Sequence, residues 1–540
     1  MSTTDVVIGI DLGTTATKVV AYRIDGSAVA EASHGYPLEV PAPGRAEQDP
    51  HRILDAVVRG LGEVVAEVGA DNVRGLSFSS AMHSLMALGS DNEPLTPVIT
   101  WADTRAAAEA EELRSGEGGL ALHRRTGTPV HPMSPLMKLI WFRAHDERLH
   151  AGAARWAGIK DWVMWRMTGD LVIDHSLASA SGLMDIHRLE WDEEALSLAG
   201  ITPENLPRLV STTHIVPRLS AEIASSVGLA ESTPVVAGAG DGPLANLGVG
   251  AVRHGVAACS VGTSGALRVA VDRPVVDPNG GVFCYALTED RWVIGGAINN
   301  GGIVLDWVRS ELASGDAELS TAQLLDEAMT VPAGSGGLLM LPYLLGERAP
   351  RWGGVARGAY VGLTRAHRRA HLVRAAVEGV ALQLALVRQS LAQADLAIDE
   401  VRATGGVMKH EIWRQTLASA FGSAIAFPAS TEGSGFGAAL LGMQALGLIE
   451  SIDVAAEMSP VEGITEPVGE DQAVYEELLP VFEQLYTALL PANTTLQEIG
   501  ERLSLLRAHA TGGGPPPGEA PRPLTCGQPL TDPAVSPPTM

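Results

Sequence analysis

Three short stretches of this chain carry residues suited to phosphate chemistry. In the first, Val6-Val-Ile-Gly-Ile-Asp11 runs into Gly13-Thr14-Thr15 and on to Lys18. In the second, Val256-Ala-Ala-Cys-Ser-Val261 runs into Gly262-Thr263-Ser264-Gly265. Each reads as an apolar strand, a tight turn of glycine and hydroxyl residues, and a returning strand. Such a turn aims backbone N–H groups and hydroxyls at one point, which suits an anion such as phosphate. One copy opening each half of the chain points to two related domains closing on one nucleotide. Asp11 immediately precedes the first turn. Its carboxylate can hold Mg²⁺, directly or through water, while Thr14, Thr15 and Lys18 meet the phosphates. The third stretch, Pro234-Val-Val-Ala-Gly-Ala-Gly-Asp241-Gly242, reads as a buried strand delivering a carboxylate into glycine-rich backbone. A second molecule can approach closely there, so Asp241 suits a general base that takes the proton of an attacking hydroxyl, worth about 10²–10⁴ in rate. The plainer readings are that Asp11 serves only its turn and that Asp241 merely starts a turn before Pro243.

The elements that would hold these residues can be read from the apolar pattern. Strands are expected over 6–12, 17–23 and 28–36, with Asp25-Gly26 as a hairpin turn. Ile53, Val57, Leu61, Val64, Val65 and Val68 repeat at helical spacing across Pro50–Val68. A buried strand follows over 74–79. The second half repeats the order: strands near 256–260, 265–271 and 281–296, a helix from Gly302, a strand over 337–341, a long helix over 371–392, a strand over 401–405 and a helix over 412–421. Residues 473–508 read as helical, with breaks or kinks expected at Pro480 and Pro491. From Thr511 the chain turns to Gly-Gly-Gly-Pro-Pro-Pro-Gly and scattered prolines, a composition expected to be disordered. The expected division is therefore 1–248, 249–508 and a tail over 509–540.

Composition narrows the class. At 540 residues the chain exceeds one core and suits two domains. A net charge of −25 argues against a nucleic-acid binder and against docking on anionic lipid. Three cysteines, Cys259, Cys284 and Cys526, have no close metal-ligand spacing. So sparse and odd a set fits a reducing cytoplasm. No signal peptide is read at the N-terminus, and no uninterrupted apolar stretch reaches the length of a membrane span.

Two longer motifs add a resemblance. Met133-Ser-Pro135 with Lys138-Leu-Ile-Trp141, and Gly358-Ala-Tyr-Val-Gly-Leu363 followed by His371-Leu-Val-Arg-Ala-Ala-Val-Glu378, resemble the two signatures of the carbohydrate kinases named for a Phe-Gly-Gly-Tyr motif. The resemblance covers about residues 5–490. It implies an α/β fold of two ribonuclease-H-like domains, as in the actin and sugar-kinase ATPases, with the active site in the cleft between them. It also implies ATP and Mg²⁺ as cofactors. By the same resemblance Asp11 is the metal-site acid, Thr14, Thr15 and Lys18 the first phosphate loop, Gly262 and Thr263 the second, and Asp241 the base. Gly302 and Asp306 match positions near the nucleotide, and Gly405-Gly406 the adenosine-binding turn. Val407-Met-Lys-His410 stands where the family commonly ends in a small polar residue.

Within that family, Phe78-Ser-Ser-Ala-Met-His-Ser84, Thr100-Trp-Ala-Asp-Thr-Arg105, Gly158-Ile-Lys-Asp161 and Gly346-Glu-Arg-Ala-Pro350 are among the stretches that look most like gluconate kinases. Xylulose kinases share parts of the first three, so a ketose or polyol kinase is the alternative. A catalytically idle sugar- and ATP-binding regulator is a third reading. A polyhydroxylated ligand needs paired donors and acceptors on rigid walls, which His83, Trp101, Asp103 and Lys160 could supply. A carboxylate on it would call for a cation, and Lys160, Arg105 and His83 are the candidates, Lys160 first. Each has a plain structural reading too, as a packed Trp101, a core His83 or an ion-paired Arg105. Glu347-Arg348 either lines the cleft or pairs internally, and Trp156, Trp162 and Trp165 read as core. The sequence leaves a homodimer open.

Overall fold

In the computed structural model, residues 4–312, 319–428 and 433–510 are described. The tail expected to be disordered falls beyond them from residue 511, Cys526 included. Two mixed sheets organise the chain. The first holds β1 (Val6–Leu12), β2 (Ala16–Arg23), β3 (Ala28–Gly35), β4 (Val73–Ser80) and β5 (Val235–Gly240). Their order is β3-β2-β1-β4-β5, with Ile215–Val216 at the far edge. β2 runs antiparallel to β1 and β3, whereas β4 runs parallel to β1 and β5 parallel to β4. The second holds β6 (Val256–Val261), β7 (Gly265–Val271), β8 (Trp292–Ile298), β9 (Glu400–Thr404) and β10 (Ile425–Pro428). Its order β8-β7-β6-β9-β10 and its strand directions repeat the first, with Phe283–Ala286 and Val461–Thr465 added at the edges. The ribonuclease-H-like unit therefore occurs twice, as the doubled turn implied.

A central strand covered on both faces should be apolar throughout, and β1 is buried at every position but Asp11. Helix Pro50–Val68 covers one face. Asp49 caps it by accepting from the His51 N–H, Pro50 takes the first turn, and Ile53, Val57, Leu61, Val64 and Val65 face the sheet. The other face is covered by helix Ser434–Ala445, which comes from the second half of the chain and which the apolar pattern did not announce. Its glycines explain both facts. A Cβ on Gly437 would stand 2.1 Å from the Leu244 carbonyl oxygen, and one on Gly9 of β1 would stand 2.4 Å from that of Gly435. Residues that usually break helices are here what lets helix, strand and helix Asp241–Gly248 pack backbone to backbone.

Between β4 and β5 a helical insertion builds its own core around Leu136, Phe142 and Trp156, while Trp162 is buried in the core of the first sheet. Helix Arg369–Gln393 is long and apolar enough to cross a membrane by composition, but it is a buried core helix of the second half. Of the breaks or kinks expected near the C-terminus, no break occurs. Gly469–Ala510 is one helix with Pro480 and Pro491 inside it. Cys259 and Cys284 are buried free thiols.

Candidate active site

β1, β4 and β5 end side by side, and the residues that follow them meet β7 and the segment carrying Arg348 and Trp352 across a cavity of about 190 Å³. Thr14, His83, Trp101 and Asp241 line it from the first half, Arg268 and Arg348 from the second. Asp241 opens helix Asp241–Gly248 directly after β5 and accepts from the Gly242 N–H at 2.7 Å. Burial and then the charge of Asp11 push its carboxyl up to about 6, against the pull of the Arg268 guanidinium. A carboxylate with that pKa is ionised at neutral pH and still basic enough to accept a proton. Asp11 lies near the end of β1, paired with Lys18 across the hairpin, and accepts from the Ser434 hydroxyl at 2.9 Å.

The turn over 13–15 is held from three sides. Tyr36 donates its hydroxyl to the Gly13 carbonyl at 2.6 Å, Gln48 its amide to the Thr14 carbonyl at 2.6 Å, and Trp101 its indole N–H to the Thr14 hydroxyl at 2.9 Å. Thr15 and Lys18 stay exposed. On the second half, Gly262 and Thr263 are exposed at the turn between β6 and β7. The Gly302 N–H donates to the Gly262 carbonyl at 2.7 Å and that of Gly301 to the Thr263 carbonyl at 3.1 Å. A Cβ on Gly302 would meet Val407 at 3.1 Å, and one on Gly405, whose φ is +112°, would sit 2.1 Å from the Val261 carbonyl. Gly262, Thr263, Gly302, Gly405 and Gly406 thus form one glycine-lined backbone surface, with open space above Gly262 and Gly406 where side chains would otherwise stand. Asp306 is exposed one helical turn beyond Gly302. His410 caps helix Glu411–Phe421 through Nδ1 and approaches Asp326 with Nε2, so its departure from the family pattern serves that helix end.

His83 faces the cavity. It is buried with φ +68°, a left-handed conformation a non-glycine residue holds only when its surroundings enforce it. The enforcement comes from Lys138, which donates to the His83 carbonyl at 2.5 Å and to that of Thr100 at 2.8 Å. Burial, followed by the Lys138 charge, takes the His83 imidazole down to about 3, so the ring is neutral. With Nδ1 donating to the Ala180 carbonyl at 2.8 Å, Nε2 is left as an acceptor for a ligand hydroxyl.

Three of the expected sugar contacts are not in the cavity. Lys160 is wholly buried, paired with Asp174 and donating to the Ala237 carbonyl at 2.6 Å. It braces β5 from behind, because a buried ammonium needs a carboxylate and finds one there. Asp103 is also wholly buried, accepting from Arg105 Nε at 2.8 Å and from the Ala46 N–H at 2.9 Å. Arg105 completes that pair and reaches Glu47 at 2.5 Å. The cations that do face the cavity are Arg268 and Arg348. Glu347 turns away to accept from Gln383 at 2.6 Å, so Glu347-Arg348 lines the cleft through its arginine alone. Arg268 is absent from the residues the sequence singles out, although it is the one charged residue in β7 and alternates with Ser264 and Ala266 on the cavity face.

Two sheets of one topology, enclosing a cavity with a raised carboxyl on one wall and a glycine-lined backbone surface beside it, define a sugar-kinase fold of the actin type. The chain belongs to the FGGY family of carbohydrate kinases: its N-terminal domain model matches residues 6–248 and its C-terminal domain model residues 257–446. It is 43% identical over 490 residues to the gluconokinase of Bacillus subtilis, covering 89% of this chain and 96% of the relative. The structure of gluconate kinase from Lactobacillus acidophilus superposes with a TM-score of 0.88 at 37% identity, over 91% of this chain and 99% of that one. That of ligand-bound xylulose kinase from Lactobacillus acidophilus does so with the same score and identity, over 91% and 100%.

Proposed function

We propose that this chain phosphorylates a sugar acid with ATP, and that the acid is gluconate, yielding 6-phosphogluconate. The observation that carries the reading is the company Asp241 keeps: a carboxyl near pKa 6 in a cavity shared by both halves, opposite two arginines. Similarity to gluconokinases supports the substrate. The fold alone does not separate it from xylulose, but a neutral ketose would leave the cations of that wall unused.

In this reading residues 1–248 and 249–508 are the two domains. ATP lies on the surface made by Gly262, Thr263, Gly302, Gly405 and Gly406, near Asp306. The sugar occupies the cavity, its hydroxyls meeting Thr14, Trp101 and the acceptor Nε2 of His83. Asp241 takes the proton as the terminal hydroxyl attacks, while the turns at 13–15 and 262–263 offer N–H groups to the phosphoryl oxygens. Among the described residues no cluster of three metal-ligating side chains exists. The carboxylate of Asp11 nonetheless fits Mg²⁺, which keeps several waters and takes phosphate oxygens as further ligands. Bound there, Mg²⁺ would neutralise charge on the transferring phosphoryl group. Two buried free thiols accord with a reducing cytoplasm.

The test is ADP release by the purified chain with Mg-ATP and a panel of gluconate, xylulose, xylitol and glycerol, with the phosphorylated carbon located by NMR. Gluconate should give the highest kcat/KM and a 6-phosphate. Preference for xylulose would overturn the substrate, and turnover of none would favour a binding protein.

A further inference from the structure

The arginines of this protein divide sharply by partner. Arg105 is held by Asp103 and Glu47, Arg374 by Glu378 and Tyr475, and Arg402 by Glu400 and the Val249 and Ser459 carbonyls. Arg268 is different. Among the described residues its side chain makes no hydrogen bond and no ion pair, and its Nε is buried without a partner. It rises from a strand otherwise composed of apolar residues and glycine, Gly265–Val271, and its guanidinium lies beside Gly242 and within the field of Asp241. Arg348 is half committed: it donates to the Ile298 carbonyl at 3.1 Å and stacks 5.2 Å from the centre of the Trp101 ring, but its Nε too is buried and unpartnered. The Tyr285 hydroxyl on the same wall has no partner either.

We propose that Arg268, seconded by Arg348, is the residue by which the cavity selects an anionic sugar over a neutral one of the same length. The inference deepens the sugar-acid reading above and rests on it. An unpaired guanidinium in a partly desolvated wall is costly unless something ionic completes it. Two cations and the one carboxylate of Asp241 line the cavity, so its walls carry one positive charge in excess. A substrate carboxylate offsets it and matches the guanidinium fork with two parallel N–H bonds. The two arginines repel one another, and burial lowers the proton affinity of both. A bound carboxylate relieves both effects, and a neutral ketose neither.

The decisive measurement is kcat/KM of Arg268→Met, which keeps the apolar stem, on matched pairs: gluconate against glucitol, and xylonate against xylitol. Working at pH 8.5 keeps Asp241 ionised with or without its arginine neighbour. A charge-assisted hydrogen-bonding site predicts a loss of about 10–150-fold on the acids, mainly in KM. The neutral members should change less than about threefold, and Arg268→Lys should recover part of the loss. Where neutral turnover is too slow, calorimetric Kd values for both members replace it. An equal fall on acids and neutrals would overturn the proposal, since Arg268 would then serve the phosphoryl group or the fold. So would unchanged use of the acids, or a wild type that prefers the neutral member of each pair. If the wild type prefers xylonate to gluconate, the gluconate assignment fails while the role of Arg268 is still tested by the xylonate pair.

Discussion

The pH profile of the wild-type enzyme tests Asp241 more sharply than its removal does. An ordinary aspartate near 3.8 would be over 90% ionised at pH 5, and kcat/KM would stay nearly flat from pH 7.5 down to that point. With its carboxyl raised to about 6, Asp241 is ionised in about one molecule in eleven at pH 5, so kcat/KM should fall about tenfold between those pH values. ADP formation followed by chromatography avoids coupling enzymes that have pH limits of their own, and circular dichroism at pH 5 checks that the protein stays folded. Asp241→Asn should abolish the limb and lower turnover by about 10²–10⁴. It should not destabilise the fold. A carboxyl whose folded pKa lies above its unfolded one opposes folding once ionised. The penalty grows from pH 3.8 to about 6 and stays in full above it. It is bounded by the two-unit difference at about 3 kcal/mol, and is smaller because the carboxylate is only half-buried. Asp241→Asn should therefore melt at or above the wild-type temperature at pH 8. A flat wild-type profile down to pH 5 would refute the raised carboxyl, and more than about a tenth of wild-type turnover in the variant would refute its role as base.

Two further outcomes follow from side chains outside the reacting centre. Lys160→Met should lower stability by about 3–5 kcal/mol, because it leaves Asp174 buried without its cation, yet should leave the gluconate KM unchanged below the melting temperature; unaltered melting with a raised KM would return Lys160 to the sugar site. Gly405→Ala sets a Cβ 2.1 Å from the Val261 carbonyl at φ +112°, so it should raise the KM for ATP well above its effect on the KM for gluconate; equal changes in both would detach this turn from the nucleotide.

What the sequence yielded and what it withheld divide along a physical line. The turns at 13–15 and 262–263 and the strand into Asp241 were legible because backbone geometry demands particular residues there, glycine and small hydroxyls above all. The doubled sheet followed from them and from the apolar alternation. Helix Ser434–Ala445 stayed hidden because its glycines are set by contact with Gly9 and Leu244, far away in the chain, and local propensity scores such residues as breakers. The expected cations that lie outside the cavity share one cause. Lys160 and Arg105 lie in motifs that look like recognition loops, and only tertiary structure reveals Asp174, Asp103 and Glu47 closing on them. Arg268 carried the opposite signal, a lone charge in an apolar strand. That pattern costs stability wherever it is left unpaired, and so it marks a position where something outside the chain completes the pair. Read that way, the most informative charged residue in such a sequence is the one its own fold leaves unanswered.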